Sequence, residues 1–411
     1  MGNVPRAVRL RLFAMMALQL AVWGAWAPKL FPYMTGLSFG AGQQALVGSS
    51  WGIAALVGLF FSNQFADRSF AGERFLAASH ALSGLCLLGV AFSTHFLSFF
   101  AFFLAYSMIY VPTLSVSNAL AFANLGHPAR DFGVVRMGGT LGWVLASWPF
   151  VFLLGTHATI GETRWIFIVA ALISFALAGY ALTLPHTPPR RGQGIDRLAW
   201  RAAFGLLKKP FVAVLFAVTF LDSVIHNGYF VLADAFLTNR VGIAGNLSMV
   251  VLSLGQIAEM GTMLVLGAVL MRLGWRTTMV VGVLGHAARF LIFAFAADSV
   301  GTIVAVQLLH GVCYAFFFAA VYIFVDDAFP EDLRSSAQGL FNLLILGVGM
   351  VVASALFPAL VTHFTNFAGG TAAVDYRSLF MVPVALSALS ALLLAFAFRP
   401  PTRGPIGPVE C

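Results

Sequence analysis

The 411-residue chain has 9% charged residues, 60% hydrophobic residues, 41 Phe and a formal net charge of +8. A soluble protein carries about a quarter charged residues, so a globular enzyme with one large core is excluded and a polytopic α-helical membrane protein is indicated. The positive charge falls in loops between apolar runs, which points to membrane topology and away from nucleic acid.

In chain order, the first apolar segment follows Arg6, Arg9 and Arg11 and runs on to Tyr33 without a small-residue cleavage site, so it reads as an uncleaved span. Breaking the apolar runs at charges, Pro and Gly predicts twelve spans, at roughly 11–34, 44–64, 74–93, 96–122, 135–155, 164–184, 210–238, 246–271, 277–296, 299–325, 335–362 and 377–398. Several exceed ~20 residues, which implies tilt or projecting ends. Arg and Lys concentrate in the even-to-odd loops and the termini, while the opposite side holds only Arg164, Arg240 and Arg377. Both termini are therefore expected in the cytoplasm. Cys86, Cys313 and Cys411 form no spaced pair, so no disulfide framework or zinc site is indicated.

The longest hydrophilic stretch, "LPHTPPRRGQGIDRLAWRAAFGLLKKP", divides the chain into an N-terminal six-helix bundle (1–184), a cytoplasmic linker (185–209) and a C-terminal six-helix bundle (210–411). The halves echo each other. "NQFADRSFAGERF" joins spans two and three, and "GAVLMRLGWRTTM" joins spans eight and nine. "DFGVVRMGGTLGW" opens span five, and "DDAFPEDLRSSAQGLFN" opens span eleven. Such recurrence suggests a parallel repeat of two pseudo-symmetric halves. Helix count, repeat, basic central loop and the tight Asp67–Arg68–Arg74 loop resemble the major facilitator superfamily, although Asn63 stands where its motif usually has Gly and Met271 replaces the acid of the second copy.

An ionisable group at bilayer depth costs ~3 kcal/mol, so each such group is a functional candidate. Lys29 and Asp234 lie near the ends of spans one and seven and are expected to snorkel; Arg289 of span nine is expected to be structural. The remaining polar groups converge. Helical spacing puts Asp222 and His226 on one face of span seven, Ser223 and Asn227 on the next, and Gln256 with Glu259 on one face of span eight. Arg136, Thr140 and Trp143 stripe span five, and His310 and Tyr314 stripe span ten with Phe317 and Phe318 beyond. Trp23 and Trp26 of span one and Tyr110, Thr113, Ser117 and Asn118 of span four add to the set. Inter-helix hydrogen bonding alone would explain such groups at about 1 kcal/mol each. Their gathering in both halves instead predicts a central polar cavity. Amides and aromatic faces suit a neutral planar solute with a hydroxylated part, either a nucleoside or a sugar.

The segments "WGAW", "AYSMIYVPTLSVSNAL", "DFGVVRMGGTLGW", "SLGQIAEMGTML", "ARFLIFAF" and "LRSSAQGLF" resemble the nucleoside:proton symporter family of that superfamily, over most of the chain. The resemblance implies that Arg136, Thr140, Asn227, Gln256, Glu259 and Tyr314 line a nucleoside site, with Trp143 replacing a Phe. It also marks two departures: Ala315 where the family carries a span-ten acid, and Val224 where span seven carries a Gln. The expected function is import of nucleosides with protons by alternating access, in a multi-pass protein of the bacterial inner membrane, as a monomer in the lipid bilayer. Glu259 is the first proton-coupling candidate, with Asp222 and His226 as others. Asp67, Arg68, Arg74, Asp131, Asp327 and Arg334 are expected to latch a cytoplasmic gate, or else to serve topology and helix capping. A carrier of sugars or other polar metabolites is the alternative within transport, and a non-transporting membrane receptor the alternative outside it. No H-E-x-x-H, G-x-S-x-G or phosphate-loop motif occurs, so no enzyme, cofactor or metal is expected.

Overall fold

The computed structural model describes residues 6–58, 70–125, 128–189, 205–329, 331–368 and 371–399. Among them, nine helices are long and apolar enough to cross a membrane. We label the passages in chain order: α1 (Arg6–Gly36), α2 (Ala41–Val57), α3 (Gly72–Phe92), α4 (Phe96–Asn124), α5 (Pro128–Ser147), α6 (Ile160–Ala181), α7 (Pro210–Val241), α8 and α9 within Ser248–Phe295, α10 (Val300–Ala328), α11 (Ala337–His363) and α12 (Tyr376–Ala397). Ser248–Phe295 counts as two because Gly274 sits at φ 71° and ψ 171°, a left-handed conformation that turns the chain between helices. The twelve passages follow the pattern expected from hydropathy, with shifted ends: α5 begins at Pro128 rather than near 135. Apart from one short hairpin, the described residues are helical, as in a polytopic membrane protein.

Several helices are locally modified where their sequence requires it. Pro28 falls in a 3-10 turn, Ala27–Lys29, that interrupts α1. Pro112, Pro358 and Pro383 lie inside α4, α11 and α12, as membrane helices tolerate. Wider π turns occur at Tyr314–Ala319 of α10 and Leu343–Val348 of α11, a distortion frequent at functional sites. An unexpected hairpin, β1 (Thr365–Ala368) and β2 (Thr371–Val374), precedes α12, with Thr365 opposite Val374 and Ala368 opposite Thr371. The two intervening positions are Gly-Gly, a hairpin signal that the helical reading passed over. Asp375 then caps α12 by accepting from the Ser378 amide. Hydrogen bonds from Ser378 hold its carboxyl below the usual carboxylate range.

Two compact units divide the chain: residues Met1–Gln193 with Phe230–Thr238 and Ile243–Ser253, and residues Gly194–Tyr229 with Asn239–Gly242 and Leu254–Cys411. In the first, Leu12, Met16, Leu76, Leu120 and Leu177 share a buried apolar cluster. Helices α1 and α5 touch backbone to backbone there: a Cβ added at Gly142 would stand 1.9 Å from the Ala17 carbonyl oxygen, and one at Gly138 would stand 2.4 Å from that of Phe13. Without a side chain at either position the helices approach closely, the use small residues serve in membranes. In the second unit, Phe317, Phe318, Phe324 and Phe341 anchor the apolar core.

Lys29 and Asp234 do not snorkel. Lys29 Nζ lies 2.9 Å from Asp234 Oδ1 and 2.9 Å from Ser248 Oγ, with the two charged side chains 5% and 2% exposed. The pair belongs to the first unit, and the interrupted helix at Pro28 is the local feature beside Lys29. A buried charge that meets its counter-ion has no need to reach water.

Candidate substrate and proton site

On the first unit, α5 presents Arg136, Thr140 and Trp143, all three half-buried. Trp143 meets Trp23 edge to face at 5.0 Å, and Trp23 stacks on Trp51 at 4.5 Å. Trp26 donates to the Tyr106 hydroxyl at 3.0 Å. The result is an aromatic wall that keeps part of Trp23 and Trp143 uncovered. Beside it runs a polar network that the sequence reading missed: the His80 ring bridges Ser174 Oγ and Gln19 Oε1, each at 3.0 Å, and Gln19 donates to Thr113 at 2.8 Å. It ties α1, α3, α4 and α6 together. Its signal was available, because Gln19 and His80 each stand in an apolar run.

On the second unit, α7, α8, α9 and α10 build a cluster of ionisable groups. Gly255 and Gly311 let α8 and α10 approach: a Cβ at Gly311 would lie 2.5 Å from the Ala258 backbone, and one at Gly255 would lie 2.8 Å from His310 Cβ. That closeness puts the Gln256 amide 2.9 Å from His310 Nε2, and the Glu259 carboxylate 3.9 Å from the same nitrogen. His310 Nδ1 lies 3.0 Å from Arg289 Nη1, and Arg289 Nη2 lies 3.0 Å from His286 Nδ1. The far nitrogen of His286 is 3.6 Å from Asp222 Oδ2. His226 stacks on His310 at 5.2 Å, and the Arg289 guanidinium covers the Tyr229 ring at 3.9 Å.

Burial separates these groups. Asp222, His286, Arg289 and His310 are enclosed, whereas Gln256, Glu259, His226 and Tyr314 are half-buried. Asn227 donates its amide hydrogens to Ser223 O at 2.9 Å and Ile345 O at 3.3 Å, which leaves its carbonyl as the group able to serve a ligand. Ala315 and Val224, the two departures, are both buried. Of the expected gate residues, Asp67 and Arg68 lie outside the described residues, as do the side chains of Asp131 and Arg334; Arg74 and Asp327 are exposed. A separate cavity of about 350 Å³ is lined by Arg240, Asp298, Asp375 and Arg377, but Arg240 is ion-paired to Asp298 at 2.8 Å and Arg377 lies over Phe295. Its charges are satisfied locally, so it is not the candidate site.

The family model of the nucleoside H+ symporters matches residues 6–403. The chain belongs to the nucleoside H+ symporter family. It is 32% identical over 352 residues to the putative nucleoside transporter YegT of Escherichia coli (strain K12), covering 83% of this chain and 82% of that one. It is 28% identical over 418 residues to the xanthosine permease of the same organism, covering 96% of each. The solved nucleoside transporter NupG superposes with a TM-score of 0.82 at 23% identity, over 95% of this chain and 99% of that one. A D-xylose–proton symporter superposes at 0.73 and 12% identity, over 96% and 99% of the two chains. Both superpositions show the fold alone. Family membership makes this symporter a multi-pass membrane transporter and not an enzyme.

Proposed function

We propose that this family member imports nucleosides together with protons across the bacterial inner membrane, working as a monomer with both termini in the cytoplasm. Residues 1–184 and 210–411 act as its two moving bundles, joined by the linker 185–209, in an alternating-access cycle. The observation that carries this reading is the half-buried pair Gln256 and Glu259, held beside His310 in a chain matched to the family over residues 6–403. Gln256 and the Asn227 carbonyl suit the polar edges of a nucleobase or ribose, and Trp143 and Tyr314 suit its ring. Arg136 and Thr140 are further substrate-binding candidates, on the first unit. Glu259 exchanges the proton, with Asp222 and His226 as further candidates. Asp67, Arg68, Arg74, Asp131, Asp327 and Arg334 serve the cytoplasmic gate.

Competition separates substrate classes. Uptake of labelled uridine or adenosine is expected to fall with unlabelled nucleosides and to be unaffected by hexoses; equal competition by hexoses would favour a sugar carrier. Gln256→Ala removes one side-chain partner of a polar ligand and is expected to weaken nucleoside binding about tenfold, read by thermal shift or calorimetry. Unchanged affinity would remove Gln256 from the site.

A further inference from the structure

Asp222, His286, Arg289, His310 and Glu259 form one chain of ionisable groups, carboxylate–imidazole–guanidinium–imidazole–carboxylate, with successive separations of 3.6, 3.0, 3.0 and 3.9 Å. Its central member fixes the rest. A guanidinium only donates and does not give up its proton in proteins, so each imidazole nitrogen facing Arg289 must accept. The N–H of each neutral ring then points outward, toward Asp222 from His286 and toward Gln256 and Glu259 from His310. The Gln256 amide must meet that N–H with its carbonyl oxygen, since amide orientation follows the network.

Charge counting sets the proton number. Two ionised acids and Arg289 leave one net negative charge; one added proton makes the chain neutral, the state that burial favours. Asp222 is fully buried, and neither of its oxygens has a hydrogen-bond partner among the described residues. A bare carboxylate held that way is costly, whereas a neutral acid is tolerable. Glu259, by contrast, is 13% exposed.

We propose that Asp222 and Glu259 share the single symported proton, with Arg289 as fixed counter-charge and His286 and His310 as the positioning groups that couple the two acids. This rests on the transport reading above. The proton comes from hydronium, which leaves water, and forms an O–H bond on one carboxylate; on release that bond breaks and water takes the proton back, none passing through Arg289. In this scheme the buried Asp222 holds the proton while Glu259 is ionised. A nucleoside hydrogen-bonded at Gln256 competes for the His310 N–H, and so alters how well Glu259 bears its charge. Among the described residues, the titratable groups facing this chain include His226 and Tyr229 from α7 and Cys313 and Tyr314 from α10, all neutral in this scheme. The chain supplies a second acid at a different place from Ala315.

Asp222→Asn fixes the protonated form without touching the substrate face. The full chain in proteoliposomes is assayed with labelled uridine, by counterflow without a gradient and by accumulation under an imposed pH gradient. The variant is expected to lose accumulation, from about tenfold per pH unit to no concentration at all, while whatever counterflow it keeps no longer depends on pH. Asp222→Glu is expected to restore accumulation. If Asp222→Asn does not purify as a single species, His286→Gln carries the test, since it keeps an N–H donor but breaks the link to Arg289; its uptake profile is expected to shift by about one pH unit. Accumulation equal to wild type in Asp222→Asn, or an unshifted profile in His286→Gln, overturns the proposal alone. A wild type that shows neither counterflow nor accumulation overturns the transport reading, and this proposal with it.

Discussion

Replacing Asp234 by alanine is expected to destabilise the protein by about 3–5 kcal/mol, because it leaves the Lys29 ammonium buried without its counter-ion. Lys29 is 4% exposed, and of its polar contacts among the described residues, Asp234 and Ser248, Ser248 would remain, a neutral hydroxyl that cannot balance a charge. Lys29→Ala is expected to cost a similar amount for the converse reason. The double variant Lys29→Ala/Asp234→Ala should cost distinctly less than the sum, since no unpaired charge is left, and the deficit in additivity reports the pair. The measurement is the unfolding midpoint of the four proteins in detergent. Simple additivity would show that the two groups do not depend on each other. All three residues, Lys29, Asp234 and Ser248, lie in one compact unit, in which Phe230–Thr238 and Ile243–Ser253 join residues 1–193. Other polar contacts within that unit include Gly245 N to Thr156 O at 2.9 Å and Asn246 to Val151 O at 3.1 Å.

The second large effect is steric. Gly142→Val is expected to abolish the monodisperse protein, because the first added carbon alone would stand 1.9 Å from the Ala17 carbonyl oxygen. Overpacking against movable side chains costs about 1–3 kcal/mol; here the obstacle is backbone, so α1 and α5 must separate. Separation would displace Arg136, Thr140 and Trp143, which ride on α5. Gly179→Ala is the control, since a Cβ there meets nothing within 4 Å. Size-exclusion profile and thermal midpoint distinguish the two. A Gly142→Val protein as stable as wild type would mean that α1 and α5 are not in close contact.

Much of the fold was legible because hydropathy and charge placement act along the chain. Long apolar runs must be helical in a bilayer, and loops must hold the Arg and Lys. The helix-period reading also placed Gln256 and Glu259 on one face of α8, where both meet His310. What was not legible depends on tertiary approach. Lys29 and Asp234 are 205 positions apart, so their ion pair could not be read from either segment, and each looked like an end residue reaching for water. The contact of Arg289 with His310 was hidden for the same reason, because it forms only when α9 and α10 are packed. His286 itself was passed over, although "HAAR" places it one turn from Arg289. The hairpin before α12 was missed because its strands are only four residues each and the Gly-Gly signal stood between two strong spans.

The most direct test of nucleoside–proton symport uses the purified wild-type chain in proteoliposomes with labelled uridine or adenosine and an imposed inward proton gradient. The expected result is accumulation of about tenfold per pH unit for a one-proton cycle, abolished by a protonophore and diminished by unlabelled nucleosides. Uptake that never exceeds equal concentrations on the two sides, whatever the gradient, would contradict it.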